Sequence, residues 1–162
     1  VGDTTLTKML YERQLCSQYN KNKVQSFVDL IDSSEDRFIV FYNFTDELDT
    51  LLKSVGDRPV SIINGQTKDL SNYETKDNSI TFVQYQAGAM GLNLQKANKI
   101  IYFSLPLSVE HYMQSLKRIH RIGQKNICFY YLMICKNSIE EKIYNALIKG
   151  VNYTDKLFEK EE

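Results

Sequence analysis

Hydrophobic positions change period from segment to segment along this chain, and each change marks an element. Val24, Phe27, Val28 and Ile31 recur at i, i+3, i+4 and i+7, one face of a helix. Ahead of them Leu6, Met9, Leu10, Leu15 and Cys16 trace a weaker helical pattern. The polar run Ser33-Ser34-Glu35-Asp36 stops the second helix. Phe38-Ile39-Val40-Phe41-Tyr42 is then continuously apolar and aromatic, as a strand covered on both faces requires. Thr45 is placed to cap the next helix, with Asp46 and Glu47 at its positive end and Leu48, Leu51, Leu52 and Val55 as its core face. Residues 60–63 predict a short strand closed by Asn64-Gly65, and 66–79 a polar loop with at most one helical turn. Residues 80–85, 99–103 and 128–134 predict three more strands. Pro106 and Ser108 open a helix between the last two, Ser108 as its N-cap. Ser138-x-x-Glu141 predicts a capping box, with Ile139, Ile143 and Leu147 as the stripe of a final helix and Gly150 as its stop.

Strands alternating with helices predict an α/β fold, a parallel sheet with helices on both faces. Functional side chains then gather on loops at the carboxyl ends of the strands. The chain divides into a helical lead-in over 1–36, the α/β domain over 37–150, and a charged tail over 151–162 that is expected to fray. Its 162 residues are the length of one domain. Twenty Lys plus Arg balance twenty Asp plus Glu, so any basic surface must be local. Three cysteines without a C-x-x-C pair point to free thiols in a reducing compartment. Two histidines provide no zinc spacing, and no metal ligands are expected in the chain. No apolar run reaches the roughly 20 residues that span a bilayer. The reading is an intracellular, cytoplasmic protein with no membrane partner, monomeric as an isolated domain.

Candidate chemistry concentrates in Gln114-Ser115-Leu116-Lys117-Arg118-Ile119-His120-Arg121-Ile122-Gly123-Gln124. On a continuous helix Gln114, Arg118 and Arg121 would fall within about 60° of one another. Tyr112, Leu116 and Ile119 would form the opposite, apolar stripe. Two forked, permanently charged guanidiniums facing one way suit phosphate oxygens, although pairing with nearby acids on a solvated face is the plainer alternative. Upstream, Gln86-Ala87-Gly88-Ala89-Met90-Gly91-Leu92-Asn93-Leu94 follows a strand, and its small residues admit a ligand close to the main chain. A tight strand-to-helix turn explains that loop equally well. G-x-x-x-x-G-K-[ST] does not occur, so no P-loop is present in these residues, and Asp46 and Glu47 read as helix capping rather than a magnesium site.

In order and spacing, Tyr42-Asn43-Phe44, Ile63-Asn64-Gly65-Gln66-Thr67, the Ala-Gly-x-x-Gly-Leu-Asn-Leu loop and Arg118-Ile119-His120-Arg121-Ile122-Gly123-Gln124 resemble the C-terminal RecA-like lobe of superfamily 2 helicases, within them the Swi/Snf-type DNA translocases. The resemblance spans residues 6–150. It departs from the family at Gln84-Tyr85, Ala89, Ser104 and Leu107-Ser108-Val109. It implies that ATP with Mg²⁺ is held mainly by an N-terminal ATPase lobe, the chain's first partner. Arg118 and Arg121 would act as arginine fingers, with Gln114, Gly88, Gly91, Leu92 and Asn93 lining the nucleotide side. Asn43, Gly65 and Thr67 would meet the DNA backbone, the second partner, though ordinary turn chemistry accounts for these three as well. This lobe alone would be inactive. The rival readings are a non-catalytic DNA- or protein-binding domain that keeps the fold, and an unrelated phosphate-sugar-binding α/β domain. High Asn, Lys, Ile and Tyr content points to a bacterial or phage source.

Overall fold

The computed structural model describes residues 2–88 and 91–159. Two helices lead in, α1 (Gly2–Leu15) and α2 (Lys21–Asp32). They are followed by β1 (Phe38–Tyr42), α3 (Thr45–Leu52), β2 (Val60–Ile63), β3 (Lys68–Asp69), α4 (Ser71–Thr75), β4 (Ile80–Gln84) and α5 (Tyr85–Gly88). Then come β5 (Lys99–Tyr102), α6 (Val109–Leu116), β6 (Phe129–Leu132), α7 (Ile139–Ile148) and α8 (Tyr153–Glu159). The strands form one sheet in the order β3-β2-β4-β1-β5-β6, parallel throughout except for the antiparallel edge strand β3.

Alternation along the strands divides the core in two. Phe38, Val40, Tyr42, Ile80, Phe82, Ile101 and Phe103 point to one face, where Phe27 and Ile31 of α2 and Leu48 and Leu51 of α3 cover them. Ile39, Phe41, Ile63, Val83, Ile100 and Tyr102 point to the other, against Met9 of α1, Ile119, and Ile143 and Leu147 of α7. The unbroken apolar strands are therefore buried on both sides, as predicted, and the fold is the RecA-like α/β class.

One buried carboxylate organises the rim where the strands end. Glu47 has 0% of its surface exposed. Its Oε1 accepts from the main-chain N–H of Asn43 at 2.9 Å and of Phe44 at 2.7 Å, and from Ser104 Oγ at 3.0 Å. Its Oε2 accepts from Ser17 Oγ. The capping predicted for Thr45 thus belongs to Glu47, since Thr45 is already the first helical residue and Phe44 the N-cap. The expected reciprocal box at Ser138 also changes partner. Ser138 Oγ accepts from the Glu140 N–H and donates to Cys135 O, while Glu140 turns inward to Lys23 Nζ at 2.6 Å and the Cys135 N–H at 3.1 Å. Gly150, at φ +73°, ends α7 as expected, with Gly150 N–H on Leu147 O and Val151 N–H on Ala146 O.

Two further segments differ from the sequence reading. The polar 66–79 stretch contributes β3 as well as the helical turn α4, because Asn72 and Tyr73 find Val60 O and Ser61 Oγ of β2 as partners. The tail expected to fray carries α8 over most of its described length, anchored by buried Tyr153 and by Asn152 Oδ1, which accepts the Val109 N–H at 2.8 Å. Removing the central acceptor is a direct probe of this frame. Glu47→Ala strands two amides and two hydroxyls, and urea denaturation should show a loss of about 3–5 kcal/mol in unfolding free energy.

Candidate functional site

The arginine segment is positioned by tertiary hydrogen bonds rather than by a helix. Ser108 caps α6 as predicted, its Oγ accepting from the His111 N–H. The helix nevertheless stops at Leu116, so Arg118 and Arg121 do not share a helical face with Gln114. The reason lies in who claims the next carbonyls. Leu94 N–H donates to Arg118 O at 3.0 Å, and Gln124 Nε2 donates to Ile119 O at 3.0 Å. Leu116 O, the acceptor that the His120 N–H would use in a continued helix, takes Tyr130 OH at 2.9 Å instead, and the chain tightens into turns through Lys117 N–H on Gln114 O and Arg118 N–H on Ser115 O. Gln124 Nε2 also reaches Gln95 O at 3.1 Å and Ala97 O at 2.9 Å, so an amide with two hydrogens serves three carbonyls. Gly123 permits the turn with φ +98°, where a Cβ would lie 3.2 Å from Gln95 Nε2.

The predicted residues still converge. Arg121 Nη1 donates to Leu92 O at 2.9 Å and Arg118 Nη1 reaches the same oxygen at 3.4 Å. The arginine pair and the glycine-rich loop therefore form one unit. Gln114, Lys117, Arg118, His120, Arg121 and Ile122 line an open cleft of ≈ 680 Å³. Arg118 is 7% exposed, and among the described residues its Nε has no hydrogen-bond partner, nor does the buried Oε1 of Gln114. Burial, then the like charge of Arg121, pulls the Arg118 pKa below the ordinary guanidinium value. Two guanidiniums sharing one carbonyl have most of their donors unspent, and among the described residues no carboxylate lines the cleft, although Glu110 Oε1 accepts from Gln114 Nε2 at 3.3 Å. Such a surface suits a polyanion and does not suit a bare metal cation. Among the described residues, Cys16, Cys135 and Glu140 alone sit close enough together to ligate a metal. Glu140 is there paired with Lys23, and burial and Glu140 push the Cys135 thiol up to about 11.

The loop itself begins in α5. Tyr85 OH donates to Ser104 O at 2.5 Å and Gln84 Nε2 to Asn43 O at 2.9 Å, which fastens the end of β4 to the ends of β5 and β1. Gly88 closes α5, Ala89 and Met90 lie outside the described residues, and Gly91 has φ +73°. Leu92 is buried and Asn93 exposed. On the neighbouring strand ends, Asn43 Nδ2 donates to Ser104 Oγ at 2.8 Å and Leu105 O at 2.9 Å, so both its hydrogens are used internally. Asn64 Oδ1 accepts from the N–H groups of Gln66 and Thr67 and closes that turn. A Cβ on Gly65 would meet nothing within 4 Å. Gly65, Thr67, Gln84, Gln86 and Leu92 line a second hollow of ≈ 380 Å³.

A parallel sheet covered on both faces, with a loop and an arginine segment locked together beside the strand ends, defines a RecA-like lobe. Residues 22–123 match the family model described as the helicase conserved C-terminal domain. The chain belongs to that family, among its Swi/Snf-type members. It is 31% identical over 121 residues to the DNA repair protein rhp54 of Schizosaccharomyces pombe, covering 68% of this chain and 14% of that one. It is 30% identical over 142 residues to the uncharacterized ATP-dependent helicase YqhH of Bacillus subtilis, covering 84% and 26%. The solved C-terminal part of the Fun30 ATPase domain superposes with a TM-score of 0.69 at 29% identity, over 76% of this chain and 44% of that chain. This chain therefore spans about a quarter or less of the curated relatives' length. Among the described residues no helix is long and apolar enough to cross a membrane, and Cys16, Cys128 and Cys135 are free.

The sequence reading missed Lys117, Gln124 and Gln84. Lys117 adjoins Arg118 and was legible as part of a basic run. Gln124 stood at the end of the quoted motif and Gln84 as a departure from the family, but both act through main-chain carbonyls that only the folded chain brings to them. Gln124→Ala removes a donor from three carbonyls at once, of which Ile119 O keeps the Arg121 N–H. It should cost about 2–3 kcal/mol in thermal or urea unfolding and raise protease cleavage between residues 117 and 127, and Gly123→Ala should cost about 1–2 kcal/mol by the same assay.

Proposed function

We propose that this chain is the C-terminal lobe of an ATP-dependent DNA translocase and that it contributes arginine fingers to a nucleotide held mainly by an N-terminal lobe. The observation that carries the reading is the shared grip of Arg118 and Arg121 on Leu92 O, at 3.4 and 2.9 Å, beside a cleft lined by Gln114 and, among the described residues, by no acid. The unpartnered Nε–H of Arg118 fits an anionic hydrogen-bond acceptor such as the polyphosphate of ATP. ATP with Mg²⁺ supplies the transferable phosphoryl group and its counter-ion. Arg121, exposed and tethered by one nitrogen, is the group free to swing onto phosphate oxygens as charge develops there. Arg118, buried behind it, holds position and adds fixed positive potential. Gln114 lines the cleft beside the pair, Leu92 O orients both arginines, and the main chain at Gly88 and Gly91, with Asn93, belongs to the nucleotide side in this reading.

Gly65, Thr67 and Asn43 are the DNA-facing residues in this reading. Gly65 carries the strongest support among them. A side chain there would have room, so packing does not demand glycine, and close approach of a phosphate backbone does. Asn43 would exchange one of its internal bonds for such a contact.

The test is an ATPase assay on the isolated chain and on the protein joined to an N-terminal lobe, with and without duplex DNA. The isolated chain should show no turnover above background. In the two-lobe protein, Arg121→Ala or Arg118→Ala should lower kcat by about 10³-fold or more while nucleotide binding persists. Turnover by the isolated chain, or undiminished kcat in both variants, would reject the two-lobe reading.

A further inference from the structure

Of the five arginines in this chain, four donate to main-chain carbonyls. Arg58 donates to the oxygens of Ile31, Ser34, Asp36 and Asn78, Arg37 to those of Tyr73 and Glu74, and Arg118 and Arg121 to Leu92. Arg13, in the last turn of α1, is the exception. Among the described residues no oxygen accepts from its guanidinium and no carboxylate pairs with it. It is half-buried, lies 4.9 Å over the Phe44 ring, and opens onto a hollow of ≈ 260 Å³ at the ends of β1 and β4, shared with Asn43, Gln84, Gln86, Ser108 and His111. Burial lowers its pKa, and Glu47 opposes that shift without forming an ion pair. The Glu47 oxygens are already occupied by Asn43, Phe44, Ser104 and Ser17.

We infer that this hollow is a phosphate notch in which Arg13, with His111 beside it, grips a phosphodiester of a nucleic-acid backbone. A guanidinium fixed by stacking, with its N–H donors unspent, is pre-organised for a tetrahedral oxyanion. The rest of the wall adds no negative charge: Pro106 and Leu107 are apolar, Asn43 and Tyr85 spend their donors internally, and Gln86 is an exposed neutral amide. Gln84 and Gln86 also line the hollow that holds Gly65 and Thr67, so the two hollows adjoin along the strand-end rim. A single phosphate-bearing strand laid on that rim meets both, whereas an isolated carboxylate on a peptide needs one. The inference rests on the DNA-binding reading of the lobe and extends it to α1, a helix that precedes the sheet.

The test titrates the 162-residue chain against short fluorescein-labelled DNA duplexes of unrelated sequence, without nucleotide, across a salt series. Arg13→Gln should weaken binding about three- to tenfold and lower the slope of log affinity against log salt by about one, equally for every sequence. Lys53→Gln removes one charge from an exposed position beyond α3 and should leave the slope unchanged. Circular dichroism establishes that the variants fold. Gln86→Glu, at an exposed wall position, gives a second reading if Arg13→Gln does not fold, and should weaken binding by a similar factor. An unchanged slope and affinity in the folded variants overturns the notch and leaves the DNA reading standing. Absence of duplex binding by the unaltered chain overturns both. Competition by polyglutamate as strong as by unlabelled duplex overturns the phosphodiester as occupant.

Discussion

Glu47 lies out of solvent at the point where β1, β5 and the end of α1 come together, and the geometry of the strand-end rim refers back to it. A carboxylate without water must have its lone pairs filled, because burying the charge unpaired costs several kcal/mol. Four donors from three elements meet that demand and so fix the elements relative to one another. Ser104, one of the four, also receives Asn43 Nδ2 and, through its carbonyl, Tyr85 OH. The ends of β4, β1 and β5 thereby become one rigid edge. Three segments implicated in function leave from that edge: the 43–44 turn, the glycine-rich loop, and the 103–108 stretch that feeds α6.

A second knot fixes the arginine segment, and it is tied in the opposite sense. Here the polar group in demand is a carbonyl. Leu92 O takes two guanidiniums that repel each other, and burial adds a cost to the charge on Arg118. That arrangement stores electrostatic tension which an anion relieves and a neutral ligand does not. Gln124 supplies the restraint that keeps the tension from dispersing, since its amide pins Gln95, Ala97 and Ile119 together behind the pair. The glycine at 123 is then explained by backbone, at φ +98°, and needs no ligand to account for it.

This difference between knots also explains how far the sequence could be read. The sheet, its two faces and the helices α2, α6 and α7 were legible because apolar periodicity is local and strong. The strand 38–42 and the stripe Val24, Phe27, Val28 and Ile31 needed no knowledge of neighbours. Continuation of the α6 helix through Arg121 was a local inference too, and it failed, because Tyr130 OH takes Leu116 O and the chain turns tighter there, its later carbonyls going to Leu94 and Gln124. Likewise Thr45 looked like the cap, yet Glu47 could serve both its own helix and two distant serines. Gln114, Arg118 and Arg121 nonetheless line one cleft, brought there by tertiary hydrogen bonds and not by the shared helical face that grouped them in the sequence.

Net charge was the least informative quantity, and the distribution of arginine shows why. A chain with 15 Lys and five Arg balanced by twenty acids has no global field to speak of. Lysine here is mostly a solvated surface charge. Arginine is placed where a rigid fork can bridge several oxygens, and Arg58 does so with four carbonyls from the last turn of α2 and two connections. Where protein oxygens are too few for the fork, at Leu92 and in the hollow beside Phe44, the deficit is local and directional. Both deficits open at the same edge of the sheet, the one Glu47 holds rigid. A neutral protein thus acquires a basic rim by withholding acceptors from three guanidiniums, without carrying any excess of positive residues.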